Sequence, residues 1–350
     1  VTPRYIIHVG PMKTASTYLQ ECLTGSSEEL LAEGVCYPAE LLDDKHGVLH
    51  LPVFYALLRR RADTLQKKFA RINAAGHHTV VLSCEHFSFL SADAFRALKE
   101  ATGASEFQIV YTCRRWSDRI GSLWNHALFS GSGQTFLEFY FSLLAAEPLI
   151  FYPKWMVEAG AAADLDYSIN WDMLAAVFGR DAVSLLPYST IMDRKQDVFD
   201  RFCKDVLGLS HTPQTRYSGQ RRWPSMSVAT QEIVRALNDM NALDPTGDRK
   251  TMAVPFAKLR RKYDLARLHA AIEVETTSVT IDDANAQFAG ALARMSRYND
   301  RVIGGGALFD LATKAVTYAR PGYLMREGVR EDLQAIYDRI ESGAPAEVSV

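Results

Sequence analysis

Four short apolar runs, separated by amphipathic stretches, constrain this chain more than any other feature. They are Tyr5 to Val9, Thr79 to Ser83, Phe107 to Cys113 and Ala182 to Pro187. Each is rich in Val, Ile, Leu or Tyr, the pattern of a strand buried on both faces. Helical periodicity fills the gaps, over Ser16 to Leu31, Leu51 to Ala74, Ala92 to Glu100 and Asp118 to Phe129. The alternation predicts βαβ units: an α/β fold with a central parallel sheet of about five strands flanked by helices. Ligands of such sheets bind beyond the C-terminal ends of the strands. The residues just after each strand are therefore the ones to read for chemistry.

The second half reads as mostly helical. Periodic stretches cover Ile169 to Phe178, Gln196 to Leu207, Ser227 to Asn241, Pro255 to Val274 and Arg330 to Ser342. Between them, Ser210 to Pro224 is a polar loop carrying Arg216, Arg221 and Arg222. There is no internal repeat and no low-complexity tract. The expected organisation is a single domain over 1–350, with an α/β nucleotide-binding core at 1–209 and a helical extension at 210–350.

Bulk properties exclude some classes. The net charge of −2, from 39 Lys+Arg against 41 Asp+Glu, gives no global field to attract nucleic acid. The five cysteines, Cys22, Cys36, Cys84, Cys113 and Cys203, show no CxxC or Cys/His zinc spacing. They read as small core residues in a reducing compartment, and no metal is expected. No apolar run reaches membrane-spanning length and no leader pattern precedes the first strand, so a cytoplasmic protein is expected.

The first strand runs into Gly10-Pro11-Met12-Lys13-Thr14-Ala15-Ser16-Thr17 and then directly into a helix. Unpaired N–H groups of a first helical turn, with the helix dipole, form an anion cradle. Ser16 and Thr17 add hydroxyls and Lys13 adds a mobile cation. A P-loop ATPase would read GxxxxGK[ST]; here Lys13 precedes the hydroxyls and no Gly-Lys-Ser/Thr occurs. Further on, Cys113-Arg114-Arg115-Trp116 closes the third long strand, and Ser122 follows eight residues after Arg114. A guanidinium fork and a hydroxyl so placed suit one phosphate held from two sides. Alone, Arg114 reads equally well as a salt-bridged arginine at a strand end.

Together the two motifs resemble the superfamily of sulfotransferases that use 3′-phosphoadenosine-5′-phosphosulfate (PAPS). Lys13 to Gln20 is similar to the family's 5′-phosphosulfate loop, PKxGTTxLQ, and Arg114 with Ser122 to its 3′-phosphate motif, RDPxxxxxS. The look is closest to bacterial members, and it covers the chain from about Arg4 to Leu209. The resemblance implies that Lys13, Thr14, Ala15, Ser16 and Thr17 hold the 5′ end of the nucleotide and that Arg114 and Ser122 hold the 3′-phosphate. It also implies that Arg221 or Arg222 reaches that phosphate from a covering loop near 210–225. Ala15 stands where the family has glycine, so its backbone must avoid positive φ or accept strain. Arg115 and Trp116 replace the usual Asp-Pro, and Ser189 replaces the Glu of a Tyr-Glu pair.

The run Val80-Val81-Leu82-Ser83-Cys84-Glu85-His86 brings Glu85 and His86 to the same edge as Lys13. An attacking hydroxyl must lose a proton, and relatives place a Glu or His nearby as base. Glu85 is the first candidate and His86 the second; a carboxylate that only neutralises Arg114 or Lys13 is the plainer alternative. His8, His46 and His50 read as packing or surface histidines. The aromatics Phe136, Phe139, Tyr140, Phe141, Phe151, Tyr152 and Trp155, with Trp124 and His126, read as core or as an acceptor groove. The expected activity is transfer of a sulfuryl group from PAPS to a hydroxyl of a small molecule, lipid or glycan, leaving adenosine 3′,5′-bisphosphate. A nucleotide kinase using ATP and magnesium, or a silent nucleotide binder, are the alternatives.

Overall fold

Each of the four apolar runs forms a strand in the computed structural model, which describes residues 2–44, 47–145, 165–217, 227–242, 275–308, 310–320 and 331. They are β1 (Arg4–Val9), β3 (Thr79–Ser83), β4 (Phe107–Cys113) and β5 (Val183–Pro187); a two-residue strand, β2 (Val35–Cys36), makes the fifth. The order is β2-β3-β1-β4-β5, and every neighbouring pair is parallel. This is the expected α/β fold with a central parallel sheet. All of β3 and all but the first residue of β1 are buried, which is why these runs are continuously apolar.

The chain leaves β1 toward β2 and β3 on one side, then crosses to β4 and β5 on the other. The loops after β1, β3 and β4 therefore meet at the C-terminal edge of β1, where strand order reverses and α/β sheets leave a crevice. Register supports this: His8 of β1 lies level with Ser83 of β3 and with Val110 of β4.

The helices between the strands are α1 (Ser16–Gly25), α2 (Ser27–Ala32), α3 (Leu51–Leu58), α4 (Asp63–Ala74), α5 (Ala92–Thr102), α6 (Trp116–Phe129) and α7 (Phe136–Leu144). Two expected helices are split. Ser26 turns its hydroxyl back to the Cys22 carbonyl at 2.7 Å, and its own N–H takes the same carbonyl. Such local bonding by serine competes with helix continuation, so α1 stops and α2 restarts. Arg60 sits at φ 55 between α3 and α4, a left-handed residue that no helix tolerates.

Contacts divide the chain into two compact units, the division falling within α6. One holds the described residues of Val1–Arg119, Lys154–Arg222 and Asp283–Ala312; the other holds those of Ile120–Pro153, Trp223–Asp282 and Thr313–Val350. The first contains the five-stranded sheet. Its core includes Ile6, Leu19, Leu23, Val81, Val110, Leu186, Phe199 and Phe202.

The second unit holds an antiparallel pair, β6 (Thr276–Asp282) and β7 (Thr313–Ala319), that the sequence did not disclose. The helix Val228–Ala242 belongs here too; its Asn238 amide donates to the Leu128 and Ser132 carbonyls at 2.8 and 2.9 Å. The stretch Pro255 to Val274 lies outside the described residues.

Candidate functional site

The loop between β1 and α1 is tightly constrained. A Cβ on Gly10 would lie 3.2 Å from the Thr14 hydroxyl and 3.3 Å from Thr112, so only glycine fits without displacement. Thr14 donates to the Pro11 carbonyl at 2.8 Å and folds the loop back on itself. Two residues then adopt positive φ, Lys13 at 69° and Ala15 at 65°. Of the two outcomes open to Ala15, the backbone takes the strained one. A left-handed alanine costs about 1 kcal/mol or more relative to glycine. Ala15→Gly is therefore expected to stabilise the protein by roughly 1 kcal/mol. A rise in the urea unfolding midpoint would register this, and an unchanged or lower midpoint would contradict it.

Two arginines from the β4 side hold the loop. The Arg114 guanidinium donates to the Lys13 carbonyl at 2.7 Å, and Arg119 Nε donates to the Met12 carbonyl at 3.0 Å. In a trans peptide the C=O and N–H point opposite ways. Anchoring these two carbonyls thus turns the N–H groups of Lys13 and Thr14 away from the arginines. Beyond them, α1 begins with no side chain capping it and no acidic residue in its first turn. The first-turn N–H groups are left to an outside acceptor. Ser16 is buried beside Thr14, whereas Thr17 is exposed.

Arg114 is itself framed. Tyr167 donates to its backbone carbonyl at 2.6 Å, and its guanidinium lies 5.4 Å from the Tyr188 ring. Its Nε is buried with no hydrogen-bond partner. Burying such a donor unpaired is costly, and an anion would relieve that cost.

Arg115 turns away from this locus. It is 3% exposed and donates to Asp118 at 2.6 Å, Asp193 at 2.7 Å and the Asp310 carbonyl at 3.1 Å. Ser189 completes the network by donating to Asp118 at 2.7 Å and accepting the Arg115 N–H at 3.2 Å. A carboxylate at 189 would sit against Asp118 and repel it. Arg115 and Ser189 are therefore matched to each other and to Asp118 in a structural role. Trp116 likewise serves packing: it stacks on Phe288 at 4.3 Å and donates to the Leu165 carbonyl.

Glu85 follows β3 and opens a 3₁₀ turn, Glu85–Phe89. Its carboxylate accepts from Gln20 Nε2 at 3.0 Å. Half-buried Lys13 has its pKa lowered, first by burial and further by Arg114, with Glu85 opposing the shift. His86 packs near Phe54 and Phe89 and sits 3.7 Å from the Cys84 thiol. Burial lowers its pKa, which favours the neutral imidazole.

The ligand atoms of Cys84, Glu85 and His86 lie within 4.8 Å of one another. Burial holds the Cys84 thiol pKa well above normal. A cation there would have to expel the thiol proton and contend with Lys13 for Glu85.

Beneath the loops, His8 is fully buried and spans three strands. One ring nitrogen meets Ser83 Oγ at 2.7 Å and the other Thr112 Oγ1 at 2.8 Å. His50 is buried too, accepting the Ser83 N–H at 3.0 Å. Both are packing histidines.

Lys13, Glu85 and Arg114 thus belong to one locus at the C-terminal edge of the sheet. Ser122 is half-buried on α6 and falls in the second unit. Arg221 and Arg222 lie outside the described residues, as do His46, Phe151, Tyr152 and Trp155. Trp124 is packed edge-on against Phe136 and is buried. Gln20 stands at the end of the loop motif, but its bond to Glu85 was not read from the sequence, and neither was the role of Arg119. Gln20 belongs to the helix pattern of α1.

In comparisons with known proteins, no family model matches the chain. No curated protein and no solved structure matches it either.

Proposed function

We propose that this protein is a PAPS-dependent sulfotransferase acting on a hydroxyl of a small molecule, lipid or glycan. The observation that carries the reading is the 2.7 Å bond from Arg114 to the Lys13 carbonyl. It joins two motifs that lie far apart in sequence into one cationic locus, beside a carboxylate and an uncapped helix. The resemblance of Lys13 to Gln20 and of Arg114 to the superfamily's motifs supplies the chemical identity of the ligand.

In this reading the N–H groups of the loop and of α1 hold the 5′-phosphosulfate, while the free Nε of Arg114 takes the 3′-phosphate. Glu85 accepts the proton of the acceptor hydroxyl as its oxygen attacks sulfur. The new O–S bond forms in line with the breaking bond between sulfur and the bridging oxygen. Lys13 neutralises the charge arriving on that oxygen, and adenosine 3′,5′-bisphosphate leaves. Positioning and electrostatics supply most of the rate, as in phosphoryl transfer. A cytoplasmic location belongs to the same proposal.

Thermal shift with adenosine 3′,5′-bisphosphate against ATP with magnesium tests the ligand. A shift of several degrees with the bisphosphate and none with ATP–magnesium is expected; the reverse pattern indicates a kinase. Transfer of labelled sulfate from PAPS to a panel of hydroxylated acceptors separates an enzyme from a silent binder.

A further inference from the structure

Gln20 lies on α1 one turn beyond Ser16, so the two share a helix face. It is 1% exposed, and its side chain leaves α1 to meet Glu85, beyond the end of a different strand. A carboxylate only accepts hydrogen bonds, so the amide must present its NH2 group to Glu85; chemistry fixes the amide orientation. A hydrogen bond from a buried donor to a charged acceptor is among the stronger kinds. The backbone around Glu85 is secured separately, since Ser88 donates to the Glu85 carbonyl at 2.8 Å. The carboxylate's own direction is therefore set by Gln20.

We propose that Gln20 is the positioning residue for Glu85, holding its carboxylate from the same helix whose first turn faces the phosphate loop. This rests on Glu85 being the base of the proposed reaction. The carboxylate of the base and the phosphate cradle are then tied to one helix, although Glu85 itself stands on the turn after β3. The distance between proton acceptor and phosphosulfate is fixed by α1 instead of by the mutual packing of two loops. Catalytic groups held to within about half an ångström by such supports are what turnover requires.

The test uses Gln20→Met, which keeps the shape and removes the donor, and Gln20→Asn, which keeps the amide but cannot reach. Both are expected to lower kcat about 10- to 100-fold, the worth of a hydrogen bond to a charged group. Affinity for adenosine 3′,5′-bisphosphate should stay within about twofold of wild type, because α1's N–H groups are untouched. A second readout does not depend on activity. Glu85 opposes the lowering of the Lys13 pKa. Releasing Glu85 should therefore move the Lys13 titration to still lower pH, followed by NMR of labelled lysine with Lys13→Ala assigning the signal. Unchanged kcat with an unchanged Lys13 titration overturns the positioning role. Equal losses of kcat and of bisphosphate affinity also overturn it and assign Gln20 to support of the helix. If the wild type transfers no sulfate, the functional reading fails, and the Lys13 titration alone decides whether Gln20 directs Glu85.

Discussion

Glu85→Gln is expected to leave nucleotide binding intact and to lower sulfate transfer by about 10²- to 10⁴-fold, the range for removal of a general base. The substitution is nearly isosteric. The Gln20 amide can still donate to the new side-chain oxygen, so the local fold persists. Lys13, the loop amides and Arg114 are unchanged, so the thermal shift with adenosine 3′,5′-bisphosphate should match wild type. What disappears is the proton acceptor of the proposed reaction. His86 is the alternative base: its pKa is lowered, so the imidazole is neutral and chemically able to take a proton. It is packed near Phe54 and Phe89, however, and its Nδ1 faces the Cys84 thiol. Full activity in Glu85→Gln would remove Glu85 from the mechanism and give the proton to His86. Combined loss of activity and of bisphosphate binding would make Glu85 a structural counter-charge to Lys13.

A second large effect concerns stability in acid. Burial lowers the pKa of both His8 and His50 to about 4. In the unfolded chain both return to about 6.5. Above pH 6.5 neither state carries the protons, and the full stability is present. As pH falls from 6.5 toward 4, the unfolded chain takes up two protons that the native chain refuses. Stability therefore drops throughout this window and the loss levels off below pH 4. Each histidine contributes a loss of about 3 kcal/mol, by linkage at 1.36 kcal/mol per pKa unit. Two such losses are comparable with the whole stability of an ordinary domain, about 5–15 kcal/mol. Urea midpoints measured at pH 7 and at pH 4.5 should differ steeply. NMR of the native imidazoles gives the direct check: titration of His8 and His50 near pH 6.5 in the folded state would refute the assignment.

The strands that form the sheet were legible because burial on both faces leaves an unbroken apolar run, as in Val80-Val81-Leu82. The edge strand Val35–Cys36 is too short to leave any period. The pair β6 and β7 stayed hidden for another reason. Its residues are mostly threonine, serine and alanine, with alternate positions exposed, so little apolar signal survives. Lys13, Glu85 and Arg114 could be found because each stands just past a strand, where parallel sheets keep their chemistry. The partner of Gln20 could not. Gln20 closes the loop motif, but a glutamine inside an amphipathic helix carries no mark of what its side chain reaches, and only its bond to Glu85 discloses that. Arg115 showed the opposite difficulty. In sequence it stands beside Arg114 at the same strand end, yet three oxygen partners on Asp118, Asp193 and Asp310 hold it.

Asp283 takes the Ser117 N–H and hydroxyl at the start of α6, at 2.8 and 2.7 Å, and also accepts from the Ala312 N–H. The two bonds between Ser117 and Asp283 link positions 166 residues apart. During synthesis, then, the corner after β4 that presents Arg114 must wait for a late part of the chain to leave the ribosome. A nascent polypeptide ending near residue 209 would hold every strand of the parallel sheet while that corner still lacked its clasp. That corner would gain its clasp only once Asp283 had been made, well after the sheet itself could assemble.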